Sequence, residues 1–419
     1  MLLKRTLLAS LSMALVATAC GGGSAPEGEV TGDALQIDAD VVDAPPSGVA
    51  TAAAATANAF GRRLHVALSS SPDAELNVVT SPFSAAAALA LIAGGTDGVT
   101  ADEFVEVLGL DAVRDERWAS LLTEVSATPD AQVTIANAIW ADDGGAFADD
   151  YVDFAGSVFG ATAETVDLGA QSGADAIDTW VRESTNDLID GIAEDLGLPK
   201  DSTNAVLANA TYFLGDWTTP FDPDDTAPGP FTRADGTTVE VPFMVHDGKG
   251  TEVEGVRVAY GQDVTFIELA YGSDGSVVME VLLPAPGGDP VALLDDFDPE
   301  DLDELRAGAF QLGAELLLPR FEVEWRSPLD DVLQELGIQA AYSGGFGPMG
   351  FPGSFLSTVV QATYIRVDEA GTEAAAVTAG AVDESAAEVI AVDRPFAFVI
   401  REVATGAELF VGTIGDPTA

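Results

Sequence analysis

Two stretches near the C-terminus read as β-strands, FLSTVVQATYIRV (355–367) and RPFAFVIREV (394–403). Between them lies VDEAGTEAAAVTAGAVDESAAEV (367–389), which has no Pro, Lys, Arg or aromatic residue and whose side chains are small, β-branched or acidic. Structureless connections beyond about 12–15 residues inside a domain are usually functional or disordered. On the strand period of two, Thr372, Ala374, Ala376, Thr378, Gly380 and Val382 form one face, all small or β-branched. The other face is Glu373, Ala375, Val377, Ala379, Ala381 and Asp383, polar at both ends. No proline blocks a ladder hydrogen bond. Such a segment is competent both as an exposed loop and as an inserted strand. A loop able to become a central strand stores free energy while it stays out.

The chain around it is large enough for an extensive core. It has 419 residues, 47% of them apolar. There are 69 acidic and 17 basic residues, a formal net charge of −52, and the only lysines are Lys4, Lys200 and Lys249. Nucleic-acid binding needs a basic footprint, which is absent, and attraction to an anionic lipid surface is excluded on the same ground.

At the N-terminus Lys4 and Arg5 precede the uncharged apolar run Leu7–Ala19. That run is too short to span a bilayer and reads as an export signal. Ala17-Thr18-Ala19-Cys20 resembles the lipobox of bacterial lipoproteins, with Ala17 where Leu is usual, which implies lipidation of Cys20 and a membrane contact through it alone. The alternative is an ordinary signal peptide cleaved nearby. Cys20 is the single cysteine, so no internal disulfide forms. The expected division is a signal at 1–20, a flexible acidic Gly/Pro linker at 21–48 and one domain at 49–419.

Within that domain Thr51–Ser69 reads as a helix through Phe60, Leu64 and Leu68. Phe83–Gly94 reads as a second helix, with Ser81 as N-cap and Pro82 in the first turn, and Ala174–Leu188 as a third. Strands are expected at Val206–Phe213, Val239–Met244, Thr265–Ala270, Val277–Leu283 and Glu315–Trp325. A hairpin, Phe396–Val403 with Ala407–Ile414, is expected to turn at Thr405-Gly406. Helices followed by strands argue an α+β fold.

Catalytic patterns are missing. The two histidines are His65, expected at a surface or interface on its helix, and His246, after a strand and before a turn; neither has metalloprotease spacing. There is no nucleophile elbow, P-loop or dinucleotide fingerprint, and no Cys–His couple. Neither a metal nor a cofactor is expected, and the chain does not read as an enzyme.

The segment Val367-Asp-Glu-Ala-Gly-Thr-Glu-Ala-Ala-Ala-Val-Thr378 resembles the hinge of serpins, inhibitors that trap proteases by inserting a reactive loop into β-sheet A. Asn77-Val-Val-Thr-Ser81-Pro-Phe-Ser84, Asn137-Ala-Ile-Trp140 and Asp178-Thr-Trp180-Val181 resemble family segments in the expected order. So do Leu207-Ala-Asn209-Ala-Thr-Tyr-Phe213-Leu-Gly-Asp-Trp217, Pro220-Phe221 and Asp393-Arg-Pro-Phe396-Ala-Phe398. Together they run from about residue 50 to 417. The resemblance implies the serpin fold: three β-sheets, about eight to nine helices and an exposed reactive-centre loop.

It also implies roles. Trp217, Glu369 and Arg320 match the breach, where the loop enters the sheet. Ser81, Ser84 and Asn209 match the shutter beneath its middle, with Gln361 in place of the usual His, so the network lacks a titrating group. Glu369, Gly371, Thr372, Glu373, Ala374, Ala375, Ala376 and Thr378 make the hinge, and its short side chains fit the inhibitory pattern. The implied function is a suicide-substrate inhibitor of serine proteases, acting outside the cytoplasm as a monomer, secreted or anchored. The alternative is a non-inhibitory serpin acting as a binding module. The loop is about one residue shorter than usual. Counting forward from Thr372 puts Ser385 at the scissile position, followed by Ala386, and counting back from Pro395 gives Glu384. With no Lys or Arg between 367 and 393, trypsin-like targets are disfavoured. Small residues favour elastase-like or subtilisin-like proteases, and Glu384 would suit a glutamyl endopeptidase.

Overall fold

The computed structural model describes residues 48–72, 74–128, 132–247, 252–297, 299–372 and 389–419. The signal, Cys20, the linker up to Ser47, the hinge from Glu373 to Thr378, and Glu384, Ser385 and Ala386 lie outside these residues.

Nine α-helices are described: α1 (Gly48–Ser69), α2 (Pro82–Ala93), α3 (Gly98–Leu108), α4 (Arg117–Ser126), α5 (Asp149–Phe159), α6 (Gln171–Ser184), α7 (Pro290–Asp296), α8 (Pro299–Gly308) and α9 (Asp330–Leu336). The strands in chain order are β1 (Asn77–Thr80), β2 (Gln132–Asp142), β3 (Thr162–Val166), β4 (Ala205–Asp216), β5 (Ala227–Thr232), β6 (Thr238–His246), β7 (Val256–Tyr260), β8 (Val264–Tyr271) and β9 (Val277–Pro284). After them come β10 (Phe310–Gln311), β11 (Glu315–Pro319), β12 (Phe321–Pro328), β13 (Val360–Val367), β14 (Gly371–Thr372), β15 (Val389–Ala391), β16 (Phe396–Glu402) and β17 (Glu408–Ile414).

The strands form a seven-stranded sheet, β1-β17-β16-β9-β8-β7-β10, and a four-stranded sheet, β15-β11-β6-β5. Two further pieces, β14-β4-β2-β3 and the pair β12-β13, complete the set among the described residues. The α+β class follows. The hairpin β16–β17 turns at Gly406, whose φ of +77° suits the absence of a Cβ. Every residue of β9, β16 and β17 is buried.

Helix α2 starts as its sequence dictates. Ser81 sits in extended conformation and its side chain accepts from the Ser84 N–H, while Pro82 occupies the first turn. Helix α1 buries Phe60, Leu64 and Leu68 at helical spacing.

Three expectations need correction. His65 is fully buried rather than at a surface: its Nδ1 lies 3.0 Å from Thr80 Oγ1 and its Nε2 3.3 Å from Ser69 Oγ, so the helix face carrying it packs against β1 with both ring nitrogens satisfied. Glu315–Trp325 is two strands, β11 and β12, in different sheets. Pro319, which has no N–H to continue a ladder, ends the first, and the chain changes partners at Arg320. The helix expected to reach Leu188 stops at Ser184, because Asn186 and Asp187 adopt left-handed φ of 53° and 62°.

Candidate functional site

The two sheet pieces β14-β4-β2-β3 and β12-β13 flank a slot. Strand β4 pairs with β2 over Ala205–Leu214, in a register that sets Asn209 opposite Asn137. Its other edge carries a partner, among the described residues, only at Gly215 and Asp216, which pair antiparallel with Thr372 and Gly371 of β14. Strand β13 is bonded on one side to β12, register Phe321↔Val367 through Pro328↔Val360. Between the lower part of β4 and the stretch leading into β13 lies a cavity of about 310 Å³. It reaches from Leu89 and Ile92 of α2 to Ile189 and Leu196 beyond α6, with Leu207 on one side and Leu356 on the other. Two strand edges with no further ladder partner among the described residues therefore face one largely apolar space, a costly arrangement unless their backbone groups find partners.

The top of the slot is built around Trp217. Its indole is 3% exposed, stacks on Tyr271 with ring centroids 4.3 Å apart, and donates through Nε1 to the Asp368 carbonyl at 2.9 Å. The backbone N–H groups of Trp217 and Phe221 donate to the carbonyls of Ala370 and Glu369, both at 2.8 Å. The turn 368–370 is thus held to the end of β4 by three bonds. Gly371 follows at so close an approach that a Cβ would stand 2.1 Å from the Gly215 carbonyl oxygen.

Glu369, 8% exposed, accepts from Thr226 Oγ1 at 2.8 Å, and its other oxygen lies 3.5 Å from Arg320 Nη1. Arg320 is half exposed, so water screens the pair strongly and the Thr226 bond is the tighter contact. Beneath Phe221, His246 stacks at 3.7 Å between ring centroids. Its Nε2 is buried with no partner among the described residues, and burial lowers the imidazole pKa to about 4.

Lower down, the start of α2 bridges the two sheet pieces. Ser84 Oγ donates to Asn209 Oδ1, and Asn209 Nδ2 donates to Asn137 Oδ1 at 2.8 Å, so this branch runs into β4 and β2. Asn137 Nδ2 continues to the Phe159 carbonyl at 2.8 Å. On the opposite side Gln361 of β13 donates through Nε2 to the Ser81 carbonyl at 3.0 Å and accepts from the Ser81 N–H at 3.4 Å. Ser81 Oγ donates to the Leu409 carbonyl at 2.7 Å. Gln361, 6% exposed, uses the donor and acceptor of one amide on one residue's backbone.

The structure therefore brings Trp217, Arg320 and Glu369 together at one end of the slot and Ser81, Ser84, Asn209 and Gln361 in its middle. It adds Thr226, Tyr271, Phe221, His246 and Asp368, which sequence reasoning missed. Phe221 and Asp368 lay inside recognised motifs; the others are fixed by sheet crossings that no local pattern announces.

A family model described as Serpin (serine protease inhibitor) matches residues 55–417. Serpin-Z2A from Oryza sativa subsp. japonica is 31% identical over 397 residues, covering 82% of this chain and 92% of that protein. Human neuroserpin is 31% identical over 361 residues, covering 81% and 86%. Among solved structures, human thyroxine-binding globulin superposes with a TM-score of 0.76 at 22% identity, covering 89% of this chain and all of that one. A family match across nearly the whole described chain, joined to a fold with a slotted sheet, places this protein in the serpin family.

Proposed function

We propose that the protein inhibits a serine protease as a suicide substrate. A protease attacks the loop beyond Thr372 and forms its acyl-enzyme. The loop then enters the slot as a new strand, and the tethered protease is dragged and deformed before deacylation. The observation that carries this reading is the state of the slot: its first rungs are occupied by Gly371 and Thr372 beside β4, while the rest faces a cavity. Continued without a bulge, that register would set Thr378 opposite Asn209 and Gly380 opposite Leu207, and the small residues of one strand face would meet the α2 side. The charge-free stretch through Thr378, apart from Glu373, supports entry.

Elastase-like or subtilisin-like proteases are the favoured targets, with cleavage near Glu384, Ser385 or Ala386, and a glutamyl endopeptidase fits if Glu384 is the scissile residue. Export and lipidation of Cys20 would place the inhibitor outside the cytoplasm, and a monomer suffices for the mechanism. No helix among the described residues is long and apolar enough to cross a membrane.

The test is an SDS gel of the domain mixed with elastase-like, subtilisin-like, glutamyl and trypsin-like proteases. A band at the summed mass that survives boiling is the expected result, with the scissile bond read by mass spectrometry of the released peptide. Thr372→Arg, placing a charge on the entering face, should abolish that band and leave clean cleavage; a variant that still traps protease would overturn insertion. The alternative is a non-inhibitory serpin acting as a binding module, and clean cleavage of the unmutated protein by the whole panel would favour it.

A further inference from the structure

The lower end of the slot is held by one carboxylate. Asp330, at the start of α9, accepts from three donors: Tyr342 Oη at 2.9 Å, Thr358 Oγ1 at 2.7 Å and the Val359 N–H at 2.9 Å. The neighbouring Leu329 N–H donates to the Val359 carbonyl at 2.8 Å, and the Leu356 N–H donates to the Ala341 carbonyl at 2.8 Å. Val359 thus has both backbone groups fastened to residues 329 and 330, one position before β13 begins. Thr358 and Val359 also line the cavity. The side chain that holds them comes from outside both sheet pieces, and the sequence motifs of the site do not include it.

We infer that Asp330 is a positioning residue for loop insertion: it fixes the receiving edge where an entering strand would complete its last rungs. The inference rests on the insertion reading above. The physical reason is the difference between the two states. With the loop out, the slot-facing edge of residues 358–361 has no strand partner among the described residues, so loosening it forfeits the bonds to Asp330, Leu329 and Ser81 but no strand rungs on that side. With a strand inserted, the same loosening would also forfeit the rungs made on that edge. Removing the carboxylate should therefore harm the inserted state more than the uninserted one. It should also slow the final stage of insertion, when deacylation competes.

The experiment compares the wild-type domain with Asp330→Ala, and with Tyr342→Phe and Thr358→Val, which each remove one donor and keep the fold safer. Each protein is nicked in the loop by a low level of a nonspecific protease, and thermal midpoints are taken before and after. The rise on cleavage should shrink by roughly 5 °C in Asp330→Ala and by less in the single-donor variants. The number of inhibitor molecules consumed per protease inactivated should rise about threefold in Asp330→Ala. Asp330→Asn, which keeps an acceptor oxygen, should restore part of both. If the midpoints before and after cleavage fall equally and the consumption ratio stays put, Asp330 is merely structural and the inference fails. If the wild-type protein itself shows no rise on cleavage, the insertion reading fails instead.

Discussion

The seven-stranded sheet and the slotted layer are built from similar residues and are finished differently. In the first, β9 pairs with β8 along its whole length and with β16 over Val277–Leu282, and β16 pairs on with β17. Even its charges are closed: Glu280, fully buried, accepts from Arg306 at 2.8 Å twice and from Arg401 at 2.8 and 3.0 Å. Burial alone would raise the Glu280 pKa, but the two guanidinium groups hold it below the ordinary carboxylate value. In the slotted layer β4 and β13 each use one edge fully, and the joint between them consists of side-chain bonds through Ser81 and Ser84. A protein whose backbone were satisfied everywhere would have nothing left to gain. Here the slotted layer carries two strand edges with no ladder partner among the described residues beyond Gly371 and Thr372, while β9 and β16 of the other sheet are paired on both sides.

Acid should strain both regions and gives the largest expected effect. Burial lowers the His65 pKa to about 3 and the His246 pKa to about 4. Both folded values lie below the unfolded value near 6.5, so the folded protein is fully stable only above pH 6.5. Below it the unfolded chain binds protons that the folded one refuses, and stability falls until the folded values are passed. His246 alone would cost about 3 kcal/mol by pH 4, and His65 more at lower pH. Denaturant midpoints at pH 7 and pH 4.5 measure this. His246→Gln should flatten the pH dependence attributed to the slot's top, and an unchanged curve would rule out that histidine.

Glu280→Ala should come next. It strands Arg306 and Arg401 without their shared partner and should cost about 3–5 kcal/mol in denaturant unfolding. It should leave the ratio of trapped to cleaved protein nearly unchanged, since the closed sheet is not where insertion occurs. A large change in that ratio would erase the contrast between the two regions.

Gly371→Ala should act the opposite way. Its Cβ has no room against the Gly215 carbonyl, and the residue sits at φ 157°, so the first rungs beside β4 must separate. Trapping should fall about tenfold with a stability change near 1 kcal/mol, read from complex yield and unfolding together. The smallest effect is expected for Ser84→Ala, which removes the bond to Asn209 and should cost about 1 kcal/mol. It should shorten the time for which the protein keeps inhibitory activity at 37 °C; activity lost no faster than in wild type would remove the joint's role.

Local chemistry carried much of this into the sequence. Ser81-Pro82 marks a capped helix start, Phe60, Leu64 and Leu68 mark a buried face, and Thr405-Gly406 marks the hairpin turn. Each signal depends on a few neighbouring residues. What stayed hidden depends on partners far along the chain. In sequence, His65 reads as a surface or interface residue because nothing near it says that Thr80 will bond its Nδ1 and Ser69 its Nε2. The apolar run LLLP passes directly into the alternation RFEVEW although the strand changes sheets at Arg320, because strand-like composition does not report which strand lies beside it. Asp330 was invisible for the same reason: its three donors come from 12 to 29 residues away.

The two rungs at Gly371 and Thr372 have a consequence for how the loop can vary. Bringing two ends of a chain together costs entropy that grows with the logarithm of the number of residues between them. Because those rungs already sit beside β4, the proposed insertion would begin as extension from a fixed end, with the search that starts a strand already over. On that reading the number of residues between Thr372 and Val389 has little hold on how insertion begins. That stretch could then be lengthened or shortened in variants of this chain, as long as Gly371 keeps its place against Gly215.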